Sequence, residues 1–364
     1  MKFNKAICCL SLIFLSISCI QEEPLNAECD IISVFLDNEN LKGDPIIEND
    51  RITFLAKPFI DLTALAPEFE LTEGATITPA SGTVRDFTSA QKYTVKSQDG
   101  NWSKTYDVRF SLDEAKNRYS FEHFRIKDSI KNKYYEFYEI GATDTMFIWA
   151  TGNPGFKLTN FNASWEDYPT LVEPNGVAGN AACLITRSTG KVGALAGKPI
   201  AAGNLFIGKF NMSSAMGDAL TATLFGTPFA QKPTRLKGWY KYTPGEVFTN
   251  KSNKVDPDRI DKPDIYAVFY EPTPEIPMLN GANSLTAENI IAIARLEDHT
   301  PKTRYTPFNI PFVYKEGKVI DEIKLKDFKY NMAIVFSSSL DGAYFEGAVG
   351  STLIVDEVEL ICEN

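Results

Sequence analysis

Apolar and polar positions along most of this chain repeat with a period of two, the pattern of strands that bury one face. From Cys29 onward, "DIISVFLD", "RITFLAK" and "APEFELTEGATITPASGTVRDFT" are short apolar or alternating runs separated by Gly and Pro turn signals. "KYTVKSQDGNWSKTYDVRF" reads as a hairpin, two alternating strands around Asp99-Gly100, a strong turn dipeptide. About seven short strands over ~80 residues predict a small immunoglobulin-like β-sandwich at residues 29–112. Trp102, beside the hairpin turn, is expected to cover the end of the hairpin.

Polar "SLDEAKNRYS" follows, and residues 113–118 are predicted to link this unit to a larger one at 119–364. There, "YYEFYEI", "MFIWAT", "AACLITRS", "NLFIGKF", "LTATLFG", "RLKGWYKY", "DIYAVFY", "IIAIARL", "YTPFNIPFVY", "NMAIVFSSS" and "STLIVDEVELI" read as strands. Helical periodicity is nearly absent, and only "SAMGDALTA" suggests a helical turn. Two long connections rich in Pro and Asn, "TPGEVFTNKSNKVDPDRIDKP" and "EPTPEIPMLNGANSLTAEN", are uncommon unless functional. Many strands at this spacing predict a two-sheet jelly roll. The expected class is all-β, a small sandwich followed by a larger one.

The N-terminus departs from this pattern. Lys2 and Lys5 precede "AICCLSLIFLSI", an apolar run shorter than the ~20 residues of a bilayer span. Residues 1–18 read as a signal peptide, with Cys19 as the lipidated first residue of a bacterial lipoprotein and residues 19–28 as an acidic tether. Ser16 stands where a lipobox usually has Leu, which leaves an ordinary cleaved signal as the alternative. "IQEE" after Cys19 resembles the surface-export signal of Bacteroidetes lipoproteins, so an outward-facing outer-membrane anchor is expected.

Charge and rare residues narrow the chemistry. Without residues 1–18, and so without Lys2 and Lys5, 35 basic residues face 47 acidic ones, a net charge of −12. Nucleic acid, which calls for a basic patch, is not an expected partner. His123 and His299 are the only histidines, which excludes a multi-histidine metal site. Cys29, Cys183 and Cys362 are too few for a disulfide framework, although one bridge among them stays open.

In "RLKGWYKYTPGE", alternation places Leu236, Gly238, Tyr240 and Tyr242 on one face and Lys237, Trp239 and Lys241 on the other. Trp239 on a polar face suits stacking on a sugar ring, with the lysines donating to hydroxyls; a core Trp beneath snorkelling lysines is the alternative. Trp149 near a strand end and Asn153 in the following turn either form a second pair suited to hydroxyl recognition or are a buried Trp beside a turn Asn. Ser337, Ser338 and Ser339 end an apolar strand and either line a pocket or sit in a solvated loop. Carboxylates for glycoside hydrolysis come in pairs. Asp264 and Glu271 flank one strand but point to opposite faces, so the catalytic candidates are Glu271, Asp341 and Glu346, each needing a partner from elsewhere. In the last strand, strict alternation puts Thr352, Ile354, Asp356, Val358 and Leu360 on one apolar face. A carboxylate buried there needs a partner, a proton or a metal.

"WATGNPGF", "GNLFIGKF", "FGTPFAQKPTRLKGWYKY", "DIYAVFY" and "SSSLDGAYFEGAVGSTLIVDEVEL", spanning about Tyr119 to Cys362, together resemble the carbohydrate-metabolism domain of Bacteroidetes surface lipoproteins. The resemblance implies a jelly roll preceded by an immunoglobulin-like domain. It brings no family-wide catalytic residues. Many similar carbohydrate-binding jelly rolls open on Phe-Glu and close on a strand like "LIVDEV"; in some, the two carboxylates hold a structural Ca2+. By that resemblance Glu122 and Asp356 are candidate calcium ligands; otherwise Asp356 accepts backbone N–H groups. No other cofactor is expected. The expected function is capture of an oligo- or polysaccharide at the cell surface by a monomer working beside other glycan-utilisation proteins. The alternatives are a glycoside hydrolase on the same scaffold and an adhesin or structural surface protein.

Overall fold

The computed structural model describes residues 25–38, 41, 44–47, 49–56, 60–112, 117–129, 132–140 and 146–363. The signal peptide, Cys19 and most of the proposed linker lie outside them. The chain forms two compact units. One holds the residues up to Asp37 with Ile47–Ile52 and Leu62–Val108; the other holds Asn38–Ile46, Thr53–Asp61 and Arg109–Asn364.

In the first unit, Ile31–Phe35 pairs antiparallel with Glu68–Leu71. Thr76–Thr78, Gln91–Lys96 and Ser103–Leu112 pair in sequence order. Gly100 adopts φ 72°, as the turn of the predicted hairpin demands. The Phe69 and Tyr93 rings meet at 4.6 Å between the two sets of strands. Part of the proposed tether is held to this unit: the Asn26 amide donates to Gln98 Oε1, and the Asn26 side chain to the Glu73 carbonyl. Trp102 is 62% exposed.

The second unit is a β-sandwich. Its back sheet runs Thr170–Glu173, Ala181–Ile185, Thr352–Cys362, Pro233–Thr243, Lys302–Pro311, all antiparallel. Arg118–Tyr119, the end of the proposed linker, pairs with Thr352–Cys362 and so belongs to this sheet. The front sheet runs Asn204–Phe206, Tyr330–Ser337, Asp264–Tyr270, Ile290–Arg295, Val313–Tyr314. Leu236, Tyr240, Tyr242, Leu353 and Val355 from the back meet Ile265, Ala267, Phe269, Ile334 and Phe336 from the front in one core. The predicted faces of "RLKGWYKY" are those observed. "SAMGDALTA" takes in the end of the short helix Met212–Met216 and the 3-10 turn Ala219–Thr221.

Two strands depart from simple alternation. In Asp264–Tyr270 every residue is buried. Its odd positions enter the main core, while Tyr266, Val268 and Tyr270 pack outward under Phe206, Phe225, Leu279 and Ala287. In the last strand the register shifts: Lys237 faces Glu359, but Trp239 faces Asp356. Glu357 and Val358 there oppose the single residue Gly238, which makes a β-bulge, and Glu357 adopts φ 46°. The bulge reverses the phase. Leu353 and Val355 face the core before it, Val358 and Leu360 after it. Ile354 packs instead with Ala181 and Cys183 in a separate cluster. Asp356 therefore does not share a face with Val358 and Leu360, which corrects the alternation.

Candidate functional site

The front sheet is covered only in part on its outer side. The segments that cover Tyr266, Val268 and Tyr270 leave a cavity of about 630 Å³, within the range for small-ligand sites. Phe206, Phe210, Phe225 and Val335 form much of its apolar wall, with Tyr344 and Phe345 also lining it. Helix Gly190–Leu195 and helix Met212–Met216 contribute Val192 and Ala215.

Part of the polar wall comes from adjacent strands of the front sheet. Asp264 pairs in register with Ser337, and Tyr266 with both Arg295 and Val335. The guanidinium of Arg295 reaches across to Asp264 and donates to both carboxylate oxygens, Nε to Oδ1 and Nη2 to Oδ2, each at 2.9 Å. Asp264 is 5% exposed. Burial pushes its carboxyl up, Arg295 pulls it back, and the charge of Asp341 adds to the upward push. The Tyr266 hydroxyl lies 3.1 Å from Ser284 Oγ. Asp341 Oδ2 accepts from Arg259 Nη2 at 2.6 Å, while Arg259 Nη1 donates to Glu346 at 2.8 Å. Arg259 belongs to the first long connection; Ser284 belongs to the second.

The other sequence-derived candidates fall in different places. Ser337 and Ser339 line the cavity. Ser338 and Ser339 are buried, not solvated: the Thr186 hydroxyl bridges them at 2.7 and 2.6 Å, and Ser339 donates to buried Asp261 at 2.6 Å. Trp149, 1% exposed, packs against Tyr119, Phe121 and Phe336 and offers no stacking surface. Asn153 is fully buried and exchanges two bonds of 3.0 Å with the backbone of Thr170. Glu271 pairs with Lys324. Glu346 faces Arg259 and is absent from the cavity lining.

Trp239, 36% exposed, lies on the outer face of the back sheet with Lys237 and Lys241. Lys241 Nζ sits 4.4 Å from the centre of the Tyr305 ring, and the Tyr305 hydroxyl donates to the Asn175 carbonyl. This surface is not part of the cavity.

Asp356 and Glu122 hold one loop. Asp356 Oδ2 accepts from the amides of Val177 and Ala178, and Oδ1 from that of Glu357. Glu122 accepts from the amide and side chain of Asn180. Calcium calls for 6–8 oxygens around one point. In this structure N–H donors are directed at both carboxylates, the donor set of a hydrogen-bonded clasp. Burial raises the Asp356 carboxyl, the amides lower it, and Glu122 raises it further.

Sequence alternation missed Arg295 altogether. The signal available was the pairing of a buried-strand Asp264 with a charged end to "IIAIAR", but only the register brings the two together.

The class these observations define is an all-β protein with a small N-terminal β domain and a larger β-sandwich carrying a loop-covered cavity. Residues 120–361 match the family described as "Putative carbohydrate metabolism domain", and the chain belongs to that family. Residues 31–109 match the domain described as "SGBP, N-terminal". Similar solved structures include the following two. One, a putative glycoside hydrolase from Bacteroides thetaiotaomicron, is 46% identical, with a TM-score of 0.87 over 94% of this chain and 99% of that one. The other, a putative glycoside hydrolase from Bacteroides vulgatus, is 44% identical, with a TM-score of 0.65 over 68% of this chain and 98% of that one. No curated protein matches the chain.

Proposed function

We propose that this protein captures glycans at the cell surface through the cavity on the front sheet. The observation that carries this is the union, in one cavity, of an apolar aromatic wall with the Asp264–Arg295 pair. Sugar rings present apolar C–H faces to the first and hydroxyls to the second. A carboxylate locked in two bonds to a guanidinium still has outward lone pairs, and Arg295 still has N–H groups to donate. The matches to a carbohydrate-metabolism family and to an "SGBP, N-terminal" domain support a carbohydrate role and a surface or secreted location. Lipid anchoring through Cys19, which lies outside the described residues, completes the proposal.

Capture is favoured over hydrolysis for a specific reason. Hydrolysis needs one carboxyl that holds a proton and another that is free to attack or to activate water. Asp264 and Asp341 both line the cavity, but each is engaged by an arginine. The name glycoside hydrolase on the two similar structures keeps the second reading in view. Trp239 offers a separate, flatter surface for a glycan on the back sheet.

A glycan array probed with the form lacking residues 1–19, its Arg295→Lys variant and its Trp239→Ala variant tests the site. Loss of binding with Arg295→Lys and retention with Trp239→Ala are expected. The opposite pattern would move the site to the back sheet. Release of reducing sugar from a bound glycan would replace capture by hydrolysis.

A further inference from the structure

Resting on the cavity as the glycan site, we infer that its ligand is a neutral sugar and that uronic or sulfated sugars are excluded. The lining carries four charged side chains: Asp264, Asp341, Arg295 and Lys198. They sum to zero. Three of them are also matched locally by an opposite charge. Both oxygens of Asp264 are bound by Arg295. Asp341 is bound by Arg259, whose other arm holds Glu346. Lys198 donates to the Ala215 carbonyl at 3.1 Å, and its ammonium lies 5.6 Å from the centre of the Phe345 ring. Including the groups behind the wall, three carboxylates face three cations.

A charged ligand entering such a cavity loses its hydration and meets, apart from the paired Arg295, only Lys198, whose charge is offset in the sum over the lining. Arg295 could offer a carboxylate or sulfate only the N–H groups not already given to Asp264, and its charge is already matched by that buried carboxylate. A neutral ring makes no such demand. Its hydroxyls can both donate to and accept from the edge formed by Asp264 and Arg295, as well as from Ser337 and the Ser284–Tyr266 pair. Its C–H face can rest against Phe210, Tyr344 and Phe345, which contribute no charge. The cavity thus selects for polarity without charge.

The test is calorimetric titration of the form lacking residues 1–19 with cellotetraose, galactotetraose, mannotetraose and tetragalacturonate. At least one neutral tetrasaccharide should bind, and tetragalacturonate should bind roughly tenfold more weakly or worse, the effect of about 1.4 kcal/mol. Asp341→Asn, which gives the lining a net positive charge, should narrow that gap; Lys198→Gln, which makes it net negative, should widen it. Thermal melts of both variants establish that each is folded. Tetragalacturonate binding as tightly as the best neutral probe, or a gap indifferent to both variants, overturns the inference and leaves glycan capture standing. Failure of every probe to bind overturns the capture proposal on which the inference rests.

Discussion

Asp264 and Arg295 stand on neighbouring strands of one sheet and meet through two parallel bonds of 2.9 Å on the wall of a cavity. The carboxylate is almost wholly buried, whereas the arginine side chain is 38% exposed. Removing the partner that reaches water leaves the charge that does not. Arg295→Ala should therefore lower the unfolding free energy by about 2 kcal/mol, less than for a fully buried pair because solvent screens part of it. Arg295→Lys keeps the charge but loses the fork, and should cost less stability while still abolishing glycan binding. Urea unfolding with parallel titrations separates the two effects.

Trp239→Ala should change stability by no more than about 1 kcal/mol, since the ring is already over a third exposed. Glycan affinity at the cavity should not change. A large fall in affinity would assign the back sheet a direct role.

The Arg259 bridge has a pH signature. Bonds from Arg259 hold the Glu346 carboxyl below its ordinary value, against an upward push from burial. A group depressed in the folded state stabilises above its unfolded value, and that contribution is lost as pH falls through the folded one. Arg259→Gln should remove this contribution and flatten the acid limb of the stability curve below about pH 4.3. Unfolding midpoints recorded from pH 3 to 7, a range chosen to bracket ordinary carboxylate values, read the difference directly.

The clasp loop is sensitive to a single methyl group. Gly179 has φ 63°, and a Cβ there would come 2.2 Å from Glu122 Oε1. Gly179→Ala should cost about 1–3 kcal/mol through backbone strain and displacement of the Glu122 carboxylate. Glu122→Gln, which removes the charge but keeps the shape, should cost less. Thermal denaturation of both variants checks the order.

Cys29, Cys183 and Cys362 should differ in reactivity. Burial pushes the thiols of Cys183 and Cys362 up to about 12, which leaves almost no thiolate at neutral pH. Native protein treated with iodoacetamide at pH 8 should carry label at Cys29 and little at the other two. Mass spectrometry of the peptides reads the pattern, and denaturant should erase it.

Much of this architecture was legible in residue order. Period-two patterning located the strands, because a sheet with one covered face selects apolar side chains at every second position. The hairpin at Asp99-Gly100 was readable because few residues accept the backbone of a tight turn. The faces of Trp239 and Tyr240 followed from local alternation alone. Resemblance along Tyr119 to Cys362 pointed to the family.

What failed depended on partners distant in sequence. Asp356 was misplaced because a bulge at Glu357 reversed the phase of its strand, and a bulge is set by the opposing strand rather than by local preference. Trp149 and Asn153 were open to two readings, ligand contact or core, and packing decided for the core. Asp264 was set aside because it could not face Glu271, while its actual partner, Arg295, lies on the next strand. Local periodicity thus determined which residues form strands and which way most of them face. Only the tertiary structure decided which strand ends meet, and so which polar side chains share a cavity, because that depends on register between segments far apart in the chain.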